Sequence, residues 1–171
     1  MNLGLSMALL LVVAGGSAES SSLRGPGGFL AEEGFQMVGE GVLEYSMFKI
    51  DVYRIGYFRG TKSGKEMLLL TYLRPVSADL SNRGWEKGLK MNFGEVYGAR
   101  QEQVKWLMGR SPDMVKGDRF AIVRDREEVV LYHNDREVAR RKDPILAAMV
   151  FSPWIGEQPV DRKLKAALLG K

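Results

Sequence analysis

Residues 143–170 read Asp143-Pro-Ile-Leu-Ala-Ala-Met-Val-Phe151-Ser-Pro-Trp154-Ile-Gly156-Glu-Gln-Pro-Val-Asp161-Arg-Lys-Leu-Lys-Ala-Ala-Leu-Leu-Gly170. Asp143 offers a side-chain oxygen to the free N–H groups that open a helix. Pro144 suits the first helical position, where its missing N–H costs nothing. Asp161 repeats the capping signal, Leu164, Leu168 and Leu169 fall on the inward face of the last helix, and Gly170 stands just past its end. The stretch therefore reads as two short helices with a Trp154-Ile155-Gly156 hinge between them.

Upstream the pattern changes to strands. Residues 119–124 alternate Phe120 and Ile122 against Arg119, Ala121 and Val123. Residues 129–132 and 136–139 form a hairpin across His133-Asn134-Asp135. Strands joined by turns this short must be antiparallel, because parallel pairs need long crossovers. Before them, Ser111-Pro112 ends a helix over residues 99–108, with Val104 and Leu107 inward and Gln101, Glu102 and Lys105 outward. Another helix follows Pro75, capped by Ser77 or Ser81, with Leu80, Trp85, Leu89 and Phe93 as its apolar residues. Gly84 and Gly88, one turn apart, permit close packing against the sheet.

Residues 66–73 form a nearly continuous apolar strand after a polar turn at residues 59–65. Within residues 47–58, Phe48, Ile50 and Val52 share one strand face at period two, and a bulge or crossing falls near Asp51. Residues 35–45 are extended and interrupted at Gly39 and Gly41. The order is strands, helices, strands, helices. This predicts an α+β fold with the helices collected on one face of an antiparallel sheet.

The first eighteen residues carry no charged side chain. The apolar run from Leu3 to Val13 has the length of a signal-peptide core, too short to span a bilayer. Small residues at Gly16 and Ala18 place a cut before Glu19. The expected organisation is a signal peptide over residues 1–18, a Ser/Gly-rich linker over 19–34 and one domain over 35–171. The expected location is periplasmic or secreted, with no membrane span after cleavage.

The chain has no cysteine, which excludes disulfides, thiol chemistry and a lipid anchor on Cys. A net charge of +4, with acidic residues spread among basic ones, is not a nucleic-acid footprint. Arg140-Arg141-Lys142 reads as exposed surface. His133 is the single histidine and reads as a turn residue, since no second His or Cys is present to build a usual metal site. Asp113 and Asp118 flank Lys116-Gly117 and read as turn and capping residues. Trp85, Trp106 and Trp154 read as core. No phosphate loop or serine nucleophile motif is present, and no cofactor or metal is expected.

Four segments, in order, carry a resemblance. They are Val38-Gly-Glu-Gly-Val-Leu43 with Phe48-Lys-Ile-Asp-Val-Tyr53; Leu68-Leu-Leu-Thr-Tyr-Leu-Arg74; Lys116-Gly-Asp-Arg-Phe120 with Tyr132-His-Asn134; and Phe151-Ser-Pro-Trp-Ile-Gly156 with Leu164-Lys-Ala-Ala-Leu-Leu-Gly170. Together they resemble the chalcone isomerase-like proteins, in the branch of small exported bacterial members. The resemblance implies an open-faced β-sandwich, a large antiparallel sheet covered on one face by helices, with a ligand cleft between the layers.

In the isomerases of this family, an Arg and a Thr on the opening strands, with a Tyr and an Asn on the helical side, hold a phenolate oxyanion. Aligned on Val52-Tyr53, this chain places Gln36 and Phe48 at the Arg and Thr positions. It has no Arg between Arg24 and Arg54. Asp161 falls near a further hydroxyl position, where a carboxylate would oppose a phenolate. The resemblance therefore implies no catalytic residues and a non-catalytic protein binding a small apolar or fatty-acid-like ligand. Tyr53, Tyr72, Tyr97, Arg54 and Arg74 are the candidate ligand-binding residues. A residual isomerase (intramolecular lyase) activity and an envelope interaction scaffold are the alternatives.

Overall fold

The computed structural model describes residues 34–45 and 50–171, so the signal peptide, nearly all of the linker and Phe48 lie outside the described residues. Six strands follow one another: β1 (Phe35–Tyr45), β2 (Ile50–Gly60), β3 (Glu66–Tyr72), β4 (Arg119–Asp125), β5 (Glu128–His133) and β6 (Arg136–Lys142). They form one sheet in the same spatial order, each strand antiparallel to its neighbour. Between β3 and β4 lie α1 (Ala78–Phe93), a 3-10 segment (Gly94–Arg100) and α2 (Gln101–Met108). After β6 come α3 (Pro144–Met149), α4 (Ser152–Ile155) and α5 (Arg162–Leu168). The fold is the α+β arrangement expected, an open antiparallel sheet with helices on one face.

Helix starts fall where their caps stand. Ser77 accepts from Leu80 N, Asp143 from Ile145 N and Leu146 N, and Asp161 from Leu164 N. The closing region holds three short helices rather than two. Pro153 sits in the first turn of α4, where its missing N–H is harmless, but the same proline cannot extend the ladder of α3. The β5–β6 turn is Asn134-Asp135, both at positive φ (48° and 65°), the backbone a two-residue hairpin needs and one that these side chains tolerate.

Strand register decides which residues face the helices. Leu43 pairs with Tyr53 and Glu44 with Asp51, so Val52 is an extra residue on β2, a bulge beside Asp51 as expected. Beyond it, Tyr53, Ile55 and Tyr57 turn inward. They join Leu68, Leu70, Tyr72, Phe120, Ile122, Val129 and Leu131 from the next strands against Trp85, Leu89, Val104, Leu107, Leu146, Phe151, Trp154 and Leu168. The set read from sequence is not the main core face here, since Ile50 is exposed and Val52 only half-buried. A smaller cluster of Phe58, Met67, Leu69, Ala121, Val123 and Val130 occupies the other face.

Two glycine positions set close approaches. A Cβ on Gly39 would overlap the Ala167 carbonyl oxygen and lie 2.8 Å from that of Leu168, so β1 carries a notch in which the end of α5 rests. A Cβ on Gly88 would lie 2.5 Å from Pro153 Cβ, so α1 is pressed against α4 rather than against the sheet, while Gly84 faces open space. Leu80 is exposed. It stands five positions before Trp85, about 140° round the helix from it.

Candidate functional site

Of the five candidate residues, the fold brings two together. Tyr53 and Tyr72 pair across β2–β3 with their rings edge-on, centroids 5.5 Å apart, both buried. The Trp154 indole N–H donates to the Tyr53 hydroxyl at 2.8 Å, and Trp154 packs edge-on against Trp85 at 5.1 Å. The space between sheet and helices is thus filled at this end by the chain's own rings. Burial drives the Tyr53 phenol well above its ordinary range and pushes Tyr72 up to about 12. Both remain protonated near neutrality and act as donors or acceptors, never as bases.

The other three candidates lie apart from this pair. Tyr97 is half-buried on the 3-10 segment with Lys90 over its ring at 5.4 Å. Arg54 is exposed and, by strand alternation from Tyr53, points away from the helices. Arg74 is exposed just beyond β3. Neither guanidinium enters the interior from these positions, because each sits where the pleat or the strand end directs it outward.

A guanidinium does reach the helix face, from β4 rather than from the opening strands. Arg124 lies beside Glu66, with Nε donating to Glu66 Oε2 at 3.0 Å and Nη2 also bound to it. Arg124 Nη1 donates to the Ala147 carbonyl at 3.1 Å, and its guanidinium stacks 4.5 Å over the Phe151 ring. The Tyr57 hydroxyl donates to Glu66 Oε1 and accepts from Arg59 Nε at 3.0 Å. Phe151 packs edge-on against Tyr57 at 6.3 Å. Partial burial raises the Glu66 carboxyl, but the hydrogen bonds from Tyr57 and Arg124 and the charges of Arg124 and Arg59 outweigh it. The group is held below the ordinary carboxylate range. Burial raises Tyr57, and the bond it gives Glu66 raises it further.

The remaining polar candidates serve the scaffold. Asp113 accepts from Ala78 N at 2.7 Å at the start of α1. Asp118 accepts from Val115 N and from the Asn134 amide, each at 2.9 Å, and lies 3.3 Å from His133 Nε2. Arg140 pairs with Glu128 and Glu137, and Arg141 with Glu102 and Asp143, so carboxylates answer much of the basic cluster. The Asn92 amide donates to the carbonyls of Gly88, Ser152 and Gln158, tying α1 to α4. Among the described residues, no group of three His, Cys, Asp or Glu could hold a metal ion, and no helix is long and apolar enough to cross a membrane. A surface hollow of about 630 Å³ lies outside the sheet–helix interior, between the strand turns. It is lined by Ser63, Asp125, Arg126, Glu127, Glu128 and Lys142, a charged rim unsuited to an apolar molecule.

The chalcone isomerase-like family model matches residues 31–170, almost the whole described chain. The protein belongs to the chalcone isomerase-like family. Its fold resembles the crystal structure of an Arabidopsis thaliana fatty-acid binding protein. That likeness has a TM-score of 0.67 at 12% identity, covering 81% of this chain and 88% of the other. A comparison with curated proteins finds no match. This chalcone isomerase-like chain thus shares the layered sheet and helices of the plant protein.

Sequence reading missed Tyr57, Glu66 and Arg124. Arg124 and Glu66 are 58 positions apart, and only the sheet register brings them opposite each other. The one local signal was a charged residue bounding each of two apolar runs, Glu66 before Met67–Leu70 and Arg124 after Phe120–Val123.

Proposed function

We infer that this protein is a non-catalytic binding domain that takes a small apolar or lipid-like molecule between its sheet and its helices. The reading rests on the Tyr53–Tyr72–Trp154–Trp85 cluster, a patch of aromatic rings on the helix face with no cation among them. These rings fill the space between the layers, and parting them would offer an elongated hydrophobic ligand apolar contact together with a few fixed donors. Family membership and the likeness to a fatty-acid binding protein support it. Catalysis of the isomerase type is not part of the reading. The interior phenols stay protonated, and the guanidiniums near Tyr57 are engaged: Arg124 is neutralised by Glu66, and Arg59, which donates to the Tyr57 hydroxyl, is mostly exposed to solvent. Of the five candidates, Tyr53 and Tyr72 carry the reading.

The neutral probe N-phenyl-1-naphthylamine, titrated into the full protein, tests it. Saturable one-to-one fluorescence enhancement is expected, with quenching of tryptophan emission because Trp85 and Trp154 lie where the ligand would go. Non-saturable partitioning, with tryptophan emission unchanged, would sink the reading.

The protein acts, on this reading, in the periplasm or outside the cell. The apolar run from Leu3 to Val13 and the small residues Gly16 and Ala18 support export. The intact mass of the exported protein is expected to correspond to a chain starting at Glu19. A mass that includes residues 1–18 would refute cleavage.

A further inference from the structure

At the Phe151 end of the interior, β-sheet register sets a carboxylate between two guanidiniums. Glu66 pairs with Arg59 across β2–β3 and with Arg124 across β3–β4. Tyr57 and Arg124 share its two oxygens, and Arg59 backs the Tyr57 hydroxyl. Every nitrogen of Arg124 has an acceptor: Nε and Nη2 on Glu66, and Nη1 on the Ala147 carbonyl. Charge-assisted donors converging on one point form the set that would receive an incoming carboxylate. Here the set is filled from within. Arg59 adds little attraction for a second anion, since its side chain is 62% exposed and screened by solvent.

We propose that Glu66 sets the ligand class of this interior: by filling the Tyr57–Arg124 anion seat, it admits neutral apolar molecules and refuses those with a carboxylate head. The proposal rests on the binding reading above. It takes the same site further by naming the head group. Tyr57 lies four positions along β2 from Tyr53, about 13 Å away on the same face, so an extended ligand resting on the Tyr53 rings would bring its end to this seat. A carboxylate arriving there meets the Glu66 charge at close range, and the Arg124 charge that would draw it in is already balanced by Glu66. A neutral head meets neither obstacle.

The test compares 1-decanol with decanoate at pH 7, each displacing the naphthyl probe from the full protein and from its Glu66→Gln variant. The unaltered protein is expected to bind decanol about tenfold or more tightly than decanoate. In Glu66→Gln decanoate gains about tenfold while decanol is unchanged, as removing one like charge at a short distance predicts. Equal binding of the two ligands by the unaltered protein, or an unchanged ratio in Glu66→Gln, overturns the proposal and leaves the binding reading standing. Binding of neither ligand overturns both. The ratio in the unaltered protein needs no variant, so the proposal stays falsifiable even where Glu66→Gln does not fold.

Discussion

Phe151→Ala is expected to remove about 3–5 kcal/mol of stability, the range for emptying a buried aromatic site. Phe151 is 2% exposed, and its ring has a distinct neighbour on two sides. Tyr57 meets it edge-on, and the Arg124 guanidinium lies over it at 4.5 Å. Truncation leaves a cavity and uncovers the Arg124–Glu66 pair, so the cation–π term, about 1 kcal/mol where partly shielded, is lost with it. Urea denaturation checks the loss. Met91→Ala, 42% exposed on α1, serves as the control and should stay within about 0.5 kcal/mol of the unaltered protein. A Phe151→Ala loss no larger than the control's would show that this ring is not the keystone of the helix layer.

Gly39→Val is expected to cost about 2–3 kcal/mol, although valine favours strands over glycine by up to about 1 kcal/mol. The strain wins because the nearest atoms are backbone carbonyls of α5, and no side-chain rotation moves them. The last helix should lift from β1, exposing its amides to hydrogen exchange. Gly84→Ala provides the opposite sign. Nothing lies within 4 Å of a Cβ there, so the gain is about 0.5–1 kcal/mol from helix propensity. Unchanged protection of residues 162–168 in Gly39→Val would refute the notch.

Much of the architecture was legible because its signals are local. Asp143-Pro144 and Asp161 cap helices where they stand, Asn134-Asp135 makes the hairpin, and alternation along β4 shows which side faces the core. The inward face of β2 was not legible. A bulge of one residue inverts the pleat, so Ile50 and Val52 lose to Tyr53, Ile55 and Tyr57. The bulge was foreseeable near Asp51, but its effect on the face depends on which strand carries the extra residue. The glycines of β1 were only half legible. The strand does shift register between Met37 and Gly39, as an interruption there suggests, but Gly39 and Gly41 are also clearances for Ala167 and Leu164. Long-range pairing was the least legible. The absence of an arginine between Arg24 and Arg54 was readable, but the approach of Arg124 from β4 follows only from its register opposite Glu66.

Phe151 and Trp154 stand three residues apart on one short segment, the first over Tyr57 and the second bonded to Tyr53. Pro153 between them is wedged against Gly88, and Asn92 grips Ser152 from α1. The segment is thus braced from α1 while its two rings rest on two tyrosines of one strand. Phe151 and Trp154 are held as a single rigid piece, so a change that loosens one contact is felt at the other.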